Sequence, residues 1–158
     1  MNSFFNTSPL IFLEKLKLID RLLPKLWDKI YITNAVVQEV NDKGITDRFF
    51  FQEYNIKNKV ALMSLPSSLH KGEAESIIGA IETGINFIVL DELKARKKAR
   101  SMGVRTMGTM GVFLYSVEKK IMTAEEAIIN LEKLRKKSFW VTDELFGEII
   151  GKLEDLRM

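Results

Sequence analysis

A chain of 158 residues can bury one sizeable core but is too short for a second full domain. Apolar residues make up 46% and charged residues 28%, a globular balance; 24 basic against 21 acidic residues leave a formal charge of +3, which permits a nucleic-acid partner without requiring one. The absence of cysteine excludes disulfides, thiolate metal sites and thiol nucleophiles, and a single histidine, His70, leaves any metal to oxygen ligands, which favours Mg²⁺ or Mn²⁺.

In chain order, short apolar runs alternate with longer helical patterns, which predicts an α/β fold around a mostly parallel sheet. "SFF" (3–5) is a first strand; Thr7 and Ser8 are N-cap types, and Pro9 suits a first helical turn. A helix through "LIFLEKL" is followed by a second over "LIDRLLPKLW", which Pro24 is expected to bend or end. "IYIT" (30–33) is a strand, with Thr33 or Asn34 capping a helix over "AVVQEVND" that Gly44 stops. Residues 45–59 read as helical around an exposed aromatic cluster, Phe49 to Phe51, and "VALMSL" (60–65) as a strand closed by Pro66. "GEAESIIGAIETG" (72–84) is an amphipathic helix ending at Gly84, and "FIVL" (87–90) a buried strand leading into "ELKARKKARSMG". "VRTMG" gives a short strand or turn and "GVFLYSVEKK" a helix. Two more helices close the chain, the first with a Thr123–Glu126 capping box, the last capped by Thr142 or Asp143. One domain over 1–158 is expected, with the helices from about 123 onward packed on it. The first residues lack a signal-peptide pattern and no window has the roughly 20 apolar residues of a membrane span. A cytoplasmic protein without membrane attachment is expected.

Ligands of open α/β sheets gather beyond the carboxyl ends of the strands. Past the successive apolar runs stand Asn6, then Gln38 and Glu39, then His70, Lys71, Glu73 and Glu75, then Asp91 and Glu92, and finally Thr109 in "GTMG". Crowded carboxylates repel and raise one another's pKa unless a cation compensates. A hard divalent ion is the natural compensation, and in pairs such ions drive attack of water on a phosphodiester. Each residue also has a structural reading. Glu73 and Glu75 suit the dipole of a first helical turn; of the two, Glu75 is expected to face the site, because Ile78 and Ile81 suggest that its face turns inward. Asp91 reads equally as the N-cap of the next helix, Glu39 as a solvated helix residue and His70 as a loop residue. The run "KARKKAR" (94–100) is either a solvated face or a guide for a phosphate backbone. Phe49 to Phe51 could stack bases or form a packing or dimer surface.

"NTSPLI", "GEAESI", "LDELKARKKAR" and "GTMGVFL", in this order and with the closing "SFWVTDELFGEII", resemble the PIN-domain superfamily, and within it the VapC-like branch of uncharacterised prokaryotic proteins. The resemblance implies a three-layer α/β/α sandwich with a central parallel sheet, and a site of three or four acids that binds Mg²⁺ or Mn²⁺ and cuts single-stranded RNA. It also implies a toxin held by a small antitoxin protein, and a homodimer. Carried over by motif, the metal positions are Asn6, Glu39, Glu75 and Asp91, with Glu92 as an alternative ligand; Glu39, Glu75 and Asp91 are the catalytic acids. Thr7, Lys94, Arg96, Lys97 and Thr109 are the expected substrate contacts. The departure is Asn6, where most members carry Asp: an amide oxygen can coordinate a metal but brings no charge. Two functions therefore stand side by side, a metal-dependent ribonuclease and a weak or inactive PIN-like module that binds RNA or a partner protein. A phosphate- or nucleotide-binding domain is a third, without a glycine-rich phosphate loop to support it.

Overall fold

Residues 1–137 and 139–157 are described by a computed structural model; Ser138, in the closing motif, and Met158 lie outside them. Among the described residues five strands form one sheet: β1 (Ser3–Phe5), β2 (Ile30–Thr33), β3 (Phe51–Tyr54), β4 (Phe87–Val89) and β5 (Arg105–Met107). Their order is β3-β2-β1-β4-β5, and every pairing is parallel, from Phe4 opposite Tyr31 on one side to Phe5 opposite Val89 on the other. The sheet expected to be mostly parallel is parallel throughout.

The central strands are apolar without interruption because both faces of the sheet are covered. Successive side chains point to opposite faces, so Phe4 and Ile88 pack against Ile77 and Ala80 of α6 (Lys71–Thr83) and against Ala95 and Ala99 of α7 (Leu93–Ser101). Phe5 and Val89 face the other way, onto Leu10 and Leu13 of α1 (Thr7–Lys15), Leu22 and Leu23 of α2 (Ile19–Leu26), and Val112 and Phe113 of α8 (Thr109–Glu118). Trp27, 2% exposed, meets Phe5 edge-on at 5.1 Å between ring centroids. The helices α9 (Ala124–Lys136) and α10 (Asp143–Asp155) add Leu131 and Leu153 to this second core. The result is a three-layer α/β/α sandwich. Among the described residues no helix is long and apolar enough to cross a membrane.

The segment between β2 and α6 departs from the sequence reading. Within 45–59, expected to be helical, only the end of the short α4 (Lys43–Thr46) and the first residue of the next helix, Lys59, are helical, and "FQEY" is instead the edge strand β3. Its two middle side chains are exposed, so its hydrophobic pattern is that of an edge strand and escapes a search for buried runs. "VALMSL" is not a strand: α5 (Lys59–Met63) starts where the Asn58 side chain accepts a hydrogen bond from Ala61 N at 2.9 Å, and Val60 and Met63 are 78% and 83% exposed. The aromatic cluster divides into an exposed Phe49, a buried Phe50 and a half-buried Phe51.

Smaller differences concern helix ends. Gly44 lies inside α4; the preceding helix, α3 (Asn34–Val40), ends at Asn41 in the left-handed region, φ 49°. Pro24 does not end α2, which continues to Leu26. The N-cap of α1 is Asn6 rather than Thr7 or Ser8. The matched substitutions Val89→Ala and Val60→Ala test the reassignment of 60–65. Val89 is fully buried in β4 and should cost about 2 kcal/mol in denaturant unfolding. Val60→Ala should change stability by less than about 0.5 kcal/mol; a cost like that of Val89 would mean that the segment is a buried strand after all.

Candidate active site

From β1 the chain steps outward to β2 and β3, then crosses back through α6 to β4 and on to β5. The order therefore reverses between β1 and β4, and their carboxyl ends open the crevice in which sheets of this kind bind ligands. Asn6 and Asp91 stand at the two lips. Asn6 N donates to Val89 O at 2.9 Å, which locks the end of β1 to that of β4 two residues before Asp91.

Asn6 has the extended backbone of an N-cap, φ −85° and ψ 173°, yet its side chain makes no capping bond. Its Oδ1 is buried without a hydrogen-bond partner among the described residues, in a residue only 6% exposed. An orphaned buried acceptor is costly unless something else fills its lone pairs. Beside it stands Glu39 on α3, whose Oε1 accepts from Thr7 Oγ1 at 2.5 Å and whose Oε2 accepts from Gly72 N at 3.3 Å. Gly72 makes room for both: a Cβ there would overlap Glu39 Oε1 and lie 3.0 Å from Asn6 Oδ1.

Both glutamates of α6 are buried, and each is anchored differently. Glu75 is buried, and its Oε1 accepts from Ala35 N at 3.0 Å, which ties α6 to the start of α3. Glu73, 4% exposed, accepts from His70 N at 2.8 Å and sits in the fields of Glu39 and Glu92. Burial pushes its pKa up and the two neighbouring acids push it further; the His70 N–H and imidazole pull it down. Glu73 therefore lies within the field of the neighbouring acids. The signal for it in the sequence is its N3 position in the His70–Glu73 helix start, where a side chain folds back over the helix end.

Asp91 is half-buried and receives both donors of the first residue of α8, Thr109 N to Oδ1 at 2.6 Å and Thr109 Oγ1 to Oδ2 at 2.7 Å. Desolvation raises its pKa; the Thr109 donors and the charge of Arg96 oppose that rise. Asp91 is not the N-cap of α7. That position belongs to Glu92, which is exposed and accepts from Lys94 N at 3.3 Å. The basic run divides as well: Lys94 and Lys97 are exposed, whereas Arg96 is half-buried and turned inward. A Cβ on Gly108 would lie 2.7 Å from Arg96 Nη1 and 3.0 Å from Asp91 Oδ1, so both groups border the same small space. The Nε of Arg96 is buried and unpartnered. The N-termini of α1, α3, α6 and α8 all open on this end of the sheet, adding partial positive charge around the acids.

A family model described as a PIN domain matches residues 3–155. The chain belongs to the PIN-domain family. No curated protein matches it significantly. A PIN domain is a nuclease-type fold that in general depends on a divalent metal, and the residues present can be tested against that. Among the described residues no three acids stand close enough to chelate an ion unaided. Mg²⁺, however, keeps several waters and is held by one or two carboxylates together with substrate phosphate. The open acceptor of Asn6, the adjacent Glu39 and an all-oxygen donor set fit such an ion.

The raised pKa of Glu73 in this PIN domain predicts a pH-dependent stability. A group whose folded pKa lies above its unfolded value stabilises below the unfolded pKa and loses that contribution as pH rises through the folded one. Without metal, Glu73→Gln should match the wild type in Tm at pH 3 and become the more stable protein as pH rises past the usual glutamate range. A wild type that is the more stable at neutral pH would show that the Glu73 charge is well compensated in the fold.

Proposed function

We propose that this PIN domain is a Mg²⁺- or Mn²⁺-dependent endoribonuclease that hydrolyses phosphodiester bonds of single-stranded RNA at the switch-point crevice. The observation that carries this reading is the buried, unpartnered Oδ1 of Asn6 beside Glu39. Asn6 and Glu39 would hold the ion directly, and Glu73, Asp91 and Glu92 would take its waters around the crevice. When bound, the ion supplies a water of lowered pKa and neutralises charge on the phosphate.

The chain's own groups do the rest. Thr7 and Thr109 fix the rotamers of Glu39 and Asp91 through their hydroxyls. Glu75, placed by sequence reasoning among the ligands, takes a positioning role by holding the start of α3, the helix that carries Glu39. Arg96 faces a phosphate bound near Asp91, and the exposed Lys94 and Lys97 draw the RNA backbone toward it. The VapC-like resemblance supports a toxin with a small antitoxin protein as its partner, and a homodimer as its assembly.

Asn6 favours a second reading, a module that binds RNA or a partner protein without turnover, because an amide contributes no charge to the ion. The two separate on a labelled single-stranded RNA pool with Mn²⁺. Wild type should cut. Asp91→Asn, which keeps the size of the side chain, should lose about a hundredfold or more in rate with Tm little changed, and Asn6→Asp should reach half-maximal rate at lower Mn²⁺. Cleavage that survives Asp91→Asn would remove Asp91 from the mechanism. No cleavage by any of the three, with no rise in wild-type Tm on adding Mn²⁺, would favour the non-catalytic module.

A further inference from the structure

The most exposed aromatic on the α8–α10 side is not used by the site described above. Trp140, 84% exposed, follows Phe139, which is buried edge-on against Phe12 of α1 at 4.9 Å between ring centroids. Phe12 lies five residues beyond Thr7, about 8 Å along the helix from the Glu39 contact. The direction of α9 and α10 agrees with this placement: Arg157, past the end of α10, pairs with Glu125 at the start of α9, so the segment between the two helices lies at their other end. Phe139 thus pins Trp140 to the helix whose first turn borders the acidic crevice.

The surroundings are cationic. Lys136 and Lys137 are exposed at the end of α9, and Lys15 Nζ lies 5.6 Å from the ring centroid of Phe12. Arg135 is already engaged, stacked on Phe146 at 4.5 Å and paired with Asp143. Glu144 is exposed nearby and opposes an anion. Protein interfaces are depleted in lysine at their centres, whereas a flat aromatic beside lysines is what single-stranded nucleic acid uses: the ring stacks a base and the cations take the backbone. We propose that Trp140, with Lys136 and Lys137, is a base-stacking platform that holds single-stranded RNA flanking the bond to be cut. The inference rests on the ribonuclease reading, yet its test does not use turnover.

The chain has two tryptophans, and the other, Trp27, is buried. Tryptophan emission therefore reports on Trp140 when RNA arrives. Titration of wild type with oligouridylate in EDTA, where cleavage is off, should quench the emission. The quenching should weaken steeply between 50 and 200 mM salt. Trp140→Ala should abolish the quenching and, in a filter-binding assay, weaken affinity about tenfold; Trp140→Phe should restore most of the affinity, and Lys136→Glu with Lys137→Glu should lower it. Equal affinity of wild type and Trp140→Ala would overturn the platform, whether or not the protein cuts RNA with Mn²⁺. Emission that changes with protein concentration alone, and not with RNA, would overturn it in favour of self-association.

Discussion

The close seating of α6 on β1 is the contact on which the site depends. A Cβ at Gly79 would come within 2.8 Å of the Phe4 ring, so only glycine lets the helix lie this near the strand. Gly72 does the same two turns earlier, where the obstacle is Glu39 instead of an aromatic ring. Between them Ser76 is fully buried, and the three small residues form one stripe down the helix. The helix sits low on the sheet, and its first turn is delivered between the ends of β1 and α3. A bulkier stripe would lift α6 and carry its first turn, with the Gly72 N–H, away from Glu39 and Asn6.

What α6 brings together is electrostatically uncomfortable by itself. Glu73 is buried and feels two other acids; Asp91 is desolvated. Helix starts, the donors of Thr109 and the guanidinium of Arg96 offset part of that cost. What is left is met by a proton or by a cation, and titratable groups perturbed in a crevice are a common mark of a functional site. Arg96 narrows the place for a cation, because a fixed positive charge beside Asp91 is already in place on the side nearer α7 and α8. The open acceptors lie on the other side, with Asn6 and Glu39.

Much of this was legible in the sequence. The strand-end rule brought Asn6, Glu39, Asp91 and Thr109 to one edge of the sheet, because a buried parallel strand announces itself as an apolar run and the next polar residue marks its carboxyl end. The choice between Glu73 and Glu75 was not legible from periodicity. Both are buried, so an inward face does not distinguish them; what separates them is the fold-back of an N3 side chain over the helix start, against the reach of the other to Ala35. The edge strand β3 was lost for the opposite reason: with one neighbouring strand and two exposed middle side chains, it carries little apolar signal. "VALMSL" carries that signal in full and is solvent-facing helix, since Asn58 caps it and nothing covers Val60 or Met63.

Asn6 follows from the same balance. Its Oδ1 has no donor within reach, and a carboxylate in that place would be a buried charge with no partner until an ion arrived. With Glu39 close by, a second acid would add repulsion to that desolvation. The amide keeps an oxygen at the position while removing the charge, so the ion-free protein carries less strain than it would with aspartate. The same change weakens the attraction for a cation. On the ribonuclease reading, stability of the ion-free site and affinity for the ion are set against each other at this one side chain, and an amide favours the first.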